Sequence, residues 1–437
     1  MLTLLGVAAI VALLGLILFR IASVVVALTL VPVVAGVAGG FGTQIGAFAM
    51  DGIRGVAPTA ALLAFAVVYF GVMNDAGLFE PFIRKVMRLV GEDPLKVVVG
   101  TAAIAAIAHL DGAGASTFMV TVPAMMPIYM RLRMDPVVLT CTTALAAGTM
   151  NILPWGGPTS RAAAALQVSV SDLFTPLIVP TIVGMAGVFG AAWFIGRAER
   201  RRVAQQPYEP ASGAVIAGHA DDDATPPGPV RARWLLIFNA ILTLVTLVLL
   251  VMETLPLAVI FLIACAVALV VNFPDAHEQR DRLTAHGSSA MVMVTTVLAA
   301  GVFTGIMTKS GMLTAMARSM VTLLPPSALE HMPTILAVTS MPLSLAFDPD
   351  SFYFGVLPVL ARAAEGAGGA AIEVGRAALL GQMTTGFPVS PLTPATFLLV
   401  GLANVDLADH QRRTIPYAFA ITIVMTIAAL AIGALHW

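Results

Sequence analysis

The sequence is poor in charge and in cysteine. Only 11% of its 437 residues are charged, against ~25% in soluble globular proteins, and 59% are hydrophobic. The two cysteines, Cys141 and Cys265, both fall in apolar segments, so neither a disulfide framework nor a cysteine metal site is indicated. The formal net charge of −1 says nothing about a nucleic-acid partner, and none is expected. These shortages exclude a soluble domain and leave an integral membrane protein.

Long apolar runs support an all-α polytopic membrane protein. Several of them approach or reach the ~20 residues that cross ~30 Å of hydrocarbon. The first run is interpreted as a membrane helix, because no basic region precedes it and Arg20 follows it. The runs cover residues 2–19, 21–38, 58–73, 174–195, 234–252, 256–271, 290–307 and 415–435.

Lysine and arginine residues predict the orientation. The run RAERRR at 197–202, together with Arg231 and Arg233, marks the central connection as cytoplasmic under the positive-inside rule. Counting crossings outward from it puts most other basic residues inside and both termini outside. The basic residues expected at the outer side are Arg54, Lys309, Arg318, Arg362 and Arg376. Residues 203–233 are rich in Pro, Gly, Ala and Asp, which predicts a flexible cytoplasmic linker.

The two halves of the chain, residues 1–202 and 234–437, resemble each other. Matching residues occur in the same order at separations of 234 and then 237 positions. The matched pairs are Gly71 with Gly305, Gly77 with Gly311, Asp111 with Asp348, Pro154 with Pro391, and Thr159 with Thr396. Each half contains five predicted crossings, so the second copy has to insert upside down. Inverted repeats of this kind are typical of secondary transporters.

Each half also contains a predicted re-entrant hairpin. In the first, residues 96–131, two short apolar stretches flank the polar turn HLDGAGAST, with basic residues at both outer ends. The hairpin is expected to enter from the cytoplasm and to leave on the same side. Its counterpart, residues 332–362, has the turn DPDS and is expected to enter from outside.

A broken membrane helix follows each hairpin. Residues 137–167 are interrupted by NILPWGGPTSR, and residues 374–404 by PVSPLTPAT. Irregular backbone at this depth is tolerable only where it is buried in protein or lines a cavity. We therefore expect the two hairpin turns and the two breaks to meet at one site.

The polar residues at these interruptions suit an anion. Pro158 fits the first position of a half-helix, Thr393 can cap the helix that Pro394 begins, and Asp348 can cap before Pro349. Helix N-termini in a cavity present N–H groups and partial positive charge, which favour a carboxylate. Arg161 adds a guanidinium able to hold a carboxylate bidentately. Neutral donors are Ser116, Thr117, Asn151, Thr159, Ser160, Ser390 and Thr396.

Ionisable groups inside the membrane are functional candidates by default. This applies to Asp111, Asp348 and Asp350. The alternative for Asp348 is that it caps a helix and has no other role. His109, alone at a hairpin turn, is interpreted as a hydrogen-bonded structural group, with proton carriage as the alternative.

The motifs HLDGAGASTFMVTVPAMMPIYMRL, NILPWGGPTSRAA, DPDSFYFGVLPVL and SPLTPATFLLVGL resemble those of the citrate–divalent metal:proton symporters, the CitMHS family of the ion transporter superfamily. The resemblance runs over nearly the whole chain. It implies a homodimeric, proton-coupled carrier of citrate complexed with Mg²⁺ or Ca²⁺ in a bacterial plasma membrane, without a permanent cofactor. It also implies a scaffold and a transport domain of two hairpins and two broken helices that moves as an elevator.

The resemblance also implies where substrate and coupling ions lie. In this sequence the matching positions are 111–117, 151–161, 348–351 and 390–396. Besides the neutral donors, Arg161 and the three aspartates, the implied substrate contacts are Gly112, Gly156, Gly157, Ser351 and Thr393. The Ser-Asn-Thr hairpin triplet of the superfamily is replaced here by GAGAST and DPDS, which argues against simple sodium coupling.

The negative charges at the two hairpin turns favour a metal–citrate complex over free citrate. Two unit charges ~4 Å apart interact by a few kcal/mol at an effective dielectric of ~20, so aspartates at both hairpin turns would repel a citrate trianion. Beside a metal–citrate complex, Asp111 and Asp348 could instead complete the oxygen shell of the metal ion or carry the coupling protons. His109 is a further candidate for carrying protons.

The sequence leaves two alternative functions open. One is another carrier of the same superfamily, either a sodium-coupled di- or tricarboxylate symporter or an arsenite or cation antiporter. The other is an intramembrane aspartyl protease, but the sequence lacks a GxGD arrangement and contains neither HExxH nor GxSxG.

Overall fold

The structure is a computed structural model that describes residues 1–205, 233–252, 254–323 and 325–436. Within these ranges every regular element is helical, which confirms the predicted all-α class. The predicted linker at 203–233 lies outside the described residues except at its two ends.

The first half of the chain runs from helix α1 to helix α10. Short 3-10 turns at His109–Asp111 and Thr175–Leu177 interrupt the series. The helices are α1 Leu2–Leu18, α2 Val24–Ala38, α3 Ile45–Asp75, α4 Glu80–Val90, α5 Pro94–Ala108, α6 Gly114–Arg131, α7 Pro136–Met150, α8 Gly157–Leu166, α9 Val170–Phe174 and α10 Ile178–Ala204.

The described part of the second half runs from helix α11 to helix α20. It includes a π-helix at Ser351–Val356 and a 3-10 turn at Phe387–Val389. The helices are α11 Arg233–Met252, α12 Leu257–Asn272, α13 Ala276–Lys309, α14 Met312–Leu323, α15 Pro326–Glu330, α16 Met332–Leu343, α17 Leu357–Gly366, α18 Ala371–Leu379, α19 Pro394–Leu402 and α20 Leu407–Ala431.

Length and composition allow six helical stretches of the described residues to cross a membrane. Three of the predicted crossings, at 2–19, 21–38 and 256–271, form apolar helices of 10–17 residues, which are shorter than these six stretches. The stretches of sufficient length are Ile45–Asp75, Pro94–Asp111, Val170–Ala204, Arg233–Leu250, Ala276–Lys309 and Leu407–Ala431.

The long helices α3 and α13 pack against each other in antiparallel orientation. Lys309 at the end of α13 lies 3.7 Å from Asp51 near the start of α3, and Arg282 near the start of α13 lies 3.1 Å from Asp75 at the end of α3. Glycine allows the two backbones to touch, since a Cβ atom on Gly305 would lie 2.3 Å from the carbonyl oxygen of Phe48. Helix α12 packs against α3, and helix α2 packs against α13.

Helices α5 and α6 form a hairpin whose open ends meet. Arg131 at the end of α6 lies 3.6 Å from Glu92, just before α5. Asp93 begins α5 by accepting a hydrogen bond of 3.1 Å from the N–H of Leu95, and Pro94 occupies the first turn, where its missing N–H is not needed. The hairpin corresponds to the predicted segment 96–131, with a start two residues earlier.

The C-terminal end of α10 holds the base of this hairpin. The Nε of Arg200 donates to Asp93 at 2.8 Å, and this guanidinium holds the pKa of the Asp93 carboxyl below its ordinary value. Glu199 accepts from the backbone N–H of Asp135, which caps α7, at 2.7 Å. One end of the molecule is therefore tied together by charged residues on α5, α7 and α10.

The second hairpin consists of α16, a turn at 344–348, and a helix that starts at Pro349 and continues through the π-helix into α17. It ends at Gly366, four residues beyond the predicted boundary at 362. A π-helix is rare and usually occurs at functional positions.

The two broken helices differ in the length of their interruption. Helix α7 ends at Met150 and α8 begins at Gly157, close to the expected interruption. Helix α18 already ends at Leu379, whereas α19 begins at Pro394, so the second interruption starts eight residues before the predicted 388. The extra residues turn back on themselves, since the N–H of Gly386 donates to the carbonyl of Gly381 at 3.0 Å.

Candidate functional site

Four irregular segments form the candidate site. We call residues 109–113 the first tip, 151–156 the first break, 344–350 the second tip and 380–393 the second break. Hydrogen bonds and ring contacts connect each of them to at least one other, so the structure brings together the elements that the sequence predicted to meet.

His109 links the first tip to the first break. Its Nδ1 lies 2.8 Å from the hydroxyl of Thr117, and its Nε2 lies 3.2 Å from the Oδ1 of Asn151. The ring is fully buried. Both nitrogens have partners within the protein, which agrees with a structural role for this histidine.

Met383 is the residue on which the segments converge. Its N–H donates to the hydroxyl of Ser344 in the second tip at 3.0 Å, and its carbonyl accepts from the Nδ2 of Asn151 in the first break at 2.7 Å. The hydroxyl of Thr393 lies 4.0 Å from its sulfur atom. Met383 also has a φ of 57°, a left-handed conformation that is uncommon for a residue with a side chain.

Aromatic residues fix the first tip against both breaks. The indole N–H of Trp155 donates to the carbonyl of Leu110 at 2.8 Å. The ring of Phe387 stacks on Phe118, with centroids 6.0 Å apart, and covers Gly114, where a Cβ atom would lie only 2.2 Å from it. Trp155 thus joins the first break to the first tip, and Phe387 of the second break packs against the tip residue His109, with ring centroids 6.3 Å apart.

Thr159 and Thr396 close the two breaks in the same way. The hydroxyl of Thr159 donates to the carbonyl of Ile152 at 2.8 Å, and that of Thr396 donates to the carbonyl of Phe387 at 3.1 Å. Both threonines are fully buried. Each hydroxyl therefore connects the second half of a broken helix to the backbone of the break that precedes it.

Arg161 brings positive charge to the start of helix α8. A Cβ atom added to Gly157 would lie 2.8 Å from the Nη1 of Arg161, so the guanidinium is close to the first residue of α8. The Nε of Arg161 donates to Asp350 at 2.7 Å. The side chains of Arg161 and Asp350 are only 25% and 14% exposed. A guanidinium and a helix N-terminus at one place favour an anion. In this structure Asp350 supplies that anion.

Asp111 and Asp348 both accept hydrogen bonds beside the helix that follows each of them, but the cap position of α6 is occupied by Ala113 and not by Asp111. Asp111 accepts from the N–H of Ala113 at 2.8 Å and from the hydroxyl of Ser116. Asp348 accepts from the N–H groups of Asp350 and Ser351 at 3.0 and 3.1 Å, and from the hydroxyl of Ser351. The capping role predicted for Asp348 is present. Thr393 occupies the cap position of α19, but its side chain makes no capping hydrogen bond.

The remaining predicted site residues are near their expected places. The hydroxyl of Ser160 donates to the carbonyl of Gly157 at 2.9 Å, and Ser390 accepts from the N–H of Leu392 at 3.2 Å. Gly112 packs under Trp155, where a Cβ atom would approach the indole to 3.1 Å, and at Gly156 it would meet the carbonyl of Asn151 at 2.3 Å. Among the described residues no group of three or more His, Cys, Asp or Glu side chains is placed to hold a metal ion.

The first part of the second break was not predicted from the sequence. Gln382 accepts from the hydroxyls of both Ser344 and Tyr353, through its side-chain and backbone oxygens. The segment GQMTTG contains no proline, and proline was the signal used to locate the breaks. Its two glycines and two threonines within an apolar region are the signal that could have revealed it.

The second break is also held from its other side by α20. The Nε2 of His410 lies 2.9 Å from the carbonyl of Pro388, and the Nε2 of Gln411 donates to the carbonyl of Val389 at 2.8 Å. His410 is buried and its Nδ1 lies 3.0 Å from the hydroxyl of Thr140 on α7. These contacts position the backbone just before Ser390.

Comparison with known proteins gives consistent results. A family model described as a citrate transporter, CitMHS, matches residues 2–386. Two similar proteins of Bacillus subtilis (strain 168) are a citrate transporter, 44% identical with 99% of each chain covered, and a Mg(2+)/citrate complex secondary transporter, 39% identical with 100% of this chain and 99% of the relative covered. The crystal structure of the YdaH transporter of Alcanivorax borkumensis is similar in fold, with a TM-score of 0.62, 16% identity and coverage of 99% and 98%.

Proposed function

Because the chain belongs to the citrate transporter family CitMHS, we propose that it takes up citrate complexed with a divalent metal ion across a bacterial plasma membrane. The family consists of secondary transporters, so the protein is a transporter and not an enzyme, which removes the protease alternative. The relative named as a Mg(2+)/citrate complex transporter supports a metal complex as cargo.

The observation that carries this proposal is the anion-binding geometry at Arg161. The guanidinium lies over the N-terminal turn of α8 and holds Asp350. We infer that a carboxylate of the substrate takes the place of Asp350 on Arg161. The exchange keeps one anion beside the guanidinium in both states, so Arg161 never remains as an unpaired buried charge.

The metal ion is treated as part of the cargo. Citrate contributes several oxygen ligands of its own, and Asp111 and Asp348 are carboxylates within the tips that are not paired with Arg161. Both already accept hydrogen bonds from their own hairpins, so either has to share an oxygen atom in order to contact the metal ion. Coupling to protons is proposed from the family resemblance, with Asp111, Asp348 and His109 as the candidate carriers.

We propose that the two halves are inverted repeats around an elevator mechanism. In both halves three helices precede a short helix, a hairpin, a broken helix and a long final helix. Gly77 and Gly311, matched in the sequence, have φ angles of 75° and 76° just after α3 and α13. In this proposal the antiparallel pair α3 and α13 belongs to the scaffold, and the hairpins and broken helices belong to the moving transport domain.

The orientation and the homodimer are parts of the same proposal. The charged cluster of Asp93, Asp135 and Arg200 lies at one end of the bundle, and the central connection starts from the same end. We assign this end to the cytoplasm and both termini to the outside.

Thermal unfolding of the purified protein tests the substrate. Citrate with Mg²⁺ or Ca²⁺ is expected to raise the melting temperature, because a ligand at 100 times its Kd stabilises the folded state by about 2.7 kcal/mol. Metal alone, or citrate with a chelator, is expected to leave it unchanged.

Two other outcomes would favour the alternatives. A shift that survives the chelator would indicate free citrate, as for a sodium-coupled carboxylate symporter. No shift with any carboxylate would favour an arsenite or cation antiporter.

A further inference from the structure

The second break contains two buried polar groups without a partner. Among the described residues only a few buried side-chain nitrogen or oxygen atoms lack a hydrogen bond, and the Nε2 of Gln382 and the hydroxyl of Thr384 are two of them. Both side chains are fully buried. Burying an unsatisfied donor is unfavourable, and native proteins contain few such groups. Two of them only two positions apart require an explanation.

The backbone between these two groups is strained as well. Met383 adopts a left-handed φ of 57° although it carries a side chain. Its N–H and its carbonyl are each held by a hydrogen bond from another segment. Strained residues of this kind persist where surrounding contacts hold them, and they cluster at ligand sites. Three unfavourable features therefore coincide at residues 382–384.

The orientation of the Gln382 amide follows from its neighbours. The N–H of Met383 donates to the hydroxyl of Ser344, and this hydroxyl donates to the Oε1 of Gln382 at 2.9 Å. The Nε2 group is left as a pair of N–H donors. Because an amide NH₂ only donates, the ligand that completes it has to be an acceptor, such as a carboxylate or hydroxyl oxygen, and not a metal ion.

We propose that the amide of Gln382 and the hydroxyl of Thr384 donate hydrogen bonds to oxygen atoms of the transported polyanion. This inference rests on the proposed function and adds a second set of contacts, separate from Arg161. Both donors are shielded from solvent in this structure. The ligand reaches them when the second tip, which covers Gln382 through Ser344 and Tyr353, moves away from the second break.

Thr384→Val is the most informative substitution, because it removes only the hydroxyl and keeps the shape of the side chain. Removal of an unsatisfied buried hydroxyl is expected to leave the melting temperature of the ligand-free protein unchanged or higher. The KM for metal–citrate uptake is expected to rise on the order of tenfold, and the shift in melting temperature on addition of ligand is expected to shrink. A purely structural residue would instead lower the stability of the ligand-free protein.

Gln382→Glu is the second variant. It keeps an oxygen for Ser344 and replaces the amide donor by a carboxylate, so KM is expected to rise further than in Thr384→Val. Thr121→Val is the matched control, because its hydroxyl is also buried without a partner but lies on α6, outside the four segments. This control is expected to keep the KM of the wild-type protein.

Wild-type KM and ligand-induced shift in both Thr384→Val and Gln382→Glu would overturn the inference. If the wild-type protein responds to a carboxylate other than metal–citrate, the proposed function fails, and the same variants tested with that carboxylate still decide the role of Gln382 and Thr384. If it responds to no carboxylate, both fail.

Discussion

At the scale of single residues, Arg161 is the central candidate for contact with the substrate. In the structure its partner is Asp350, at 2.7 Å, so Arg161 has a structural contact as well as the proposed substrate contact. Loss of uptake in one variant cannot separate these roles, because removing one partner of a buried ion pair is itself destabilising. A double-mutant comparison separates them.

We expect Arg161→Ala to lower kcat/KM for uptake by at least about tenfold, because a hydrogen bond between charged groups is lost. Asp350→Asn is expected to lower the KM, since the substrate no longer displaces a charged competitor. The double variant Arg161→Ala/Asp350→Asn is expected to remain as impaired as Arg161→Ala. Initial rates of labelled citrate uptake into proteoliposomes provide the measurement.

Restored uptake in the double variant would show that Arg161 serves only to neutralise Asp350. Arg54→Ala is the control, because Arg54 lies on the exposed surface of α3 and pairs with Asp51 at 3.5 Å. Its uptake is expected to match that of the wild-type protein.

Among the candidate site residues, those that carry a charge or follow a visible helix breaker could be proposed from the sequence. Asp348 and Arg161 stand out because ionisable groups are rare in apolar segments, and Pro158 marks the start of α8. Gln382 and Met383 could not be predicted in this way. Their roles arise from the approach of Ser344 and Asn151, which lie far away in the sequence, and from a backbone conformation that methionine does not indicate.

At the scale of helices, close packing of α3 on α13 depends on glycine. We expect Gly305→Ala to lower the free energy of unfolding by at least about 2 kcal/mol, because the new Cβ atom would collide with the carbonyl of Phe48 at 2.3 Å. Gly287→Ala on the same helix has open space around it and is expected to be neutral or stabilising by about 0.5–1 kcal/mol. Equal melting temperatures for the two variants would contradict this packing.

The base of the first hairpin provides a pH-dependent test. Arg200 lowers the pKa of the Asp93 carboxyl in the folded protein, so the pair stabilises the fold at neutral pH. This contribution is complete above the unfolded pKa of about 3.9 and is lost as the pH falls through the lower folded pKa. Arg200→Gln is therefore expected to melt below the wild-type protein at pH 7, with a difference that narrows below about pH 4.

Arg197→Gln is the control for this measurement. Arg197 lies on the same helix, with its guanidinium 5.5 Å from the ring centre of Trp193. Its effect on melting is expected to stay constant over the same pH range. A difference for Arg200→Gln that is likewise constant would contradict the assigned ion pair.

The helices themselves were largely predictable, and their ends were predictable where the capping residues are distinctive. Asp93-Pro94 and Asp135-Pro136 both begin helices as their sequences indicate. The early end of α18 at Leu379 was not predicted, because the segment GQMTTG that follows it contains no proline and its first glycine, Gly381, stands two residues beyond the helix end. This glycine is required by tertiary packing, since a Cβ atom on it would lie 2.2 Å from the hydroxyl of Ser340.

At the scale of the whole molecule, the proposed elevator requires the broken helices to move past α3. Gly55 on α3 faces Gln167 at the end of α8, where a Cβ atom would lie 3.6 Å from the Gln167 side chain. Cross-linking of Gly55→Cys to Gln167→Cys with a short thiol reagent is expected to stop uptake until the link is cleaved. The native Cys141 and Cys265 are buried and free, so they are protected from the reagent.

The control for this experiment links α3 to α13 within the proposed scaffold. Asp51→Cys and Lys309→Cys replace an ion pair of 3.7 Å, and their cross-link is expected to leave uptake intact. Uptake that continues with α3 linked to α8 would contradict the proposed movement.

Our main proposal is the proton-driven uptake of a metal–citrate complex. Its most direct test is the uptake of labelled citrate into proteoliposomes of the purified protein under an inward proton gradient. We predict accumulation when Mg²⁺ or Ca²⁺ is present, and loss of accumulation when the metal is chelated or the proton gradient is dissipated. Accumulation that is unaffected by the chelator and by loss of the proton gradient would contradict the account.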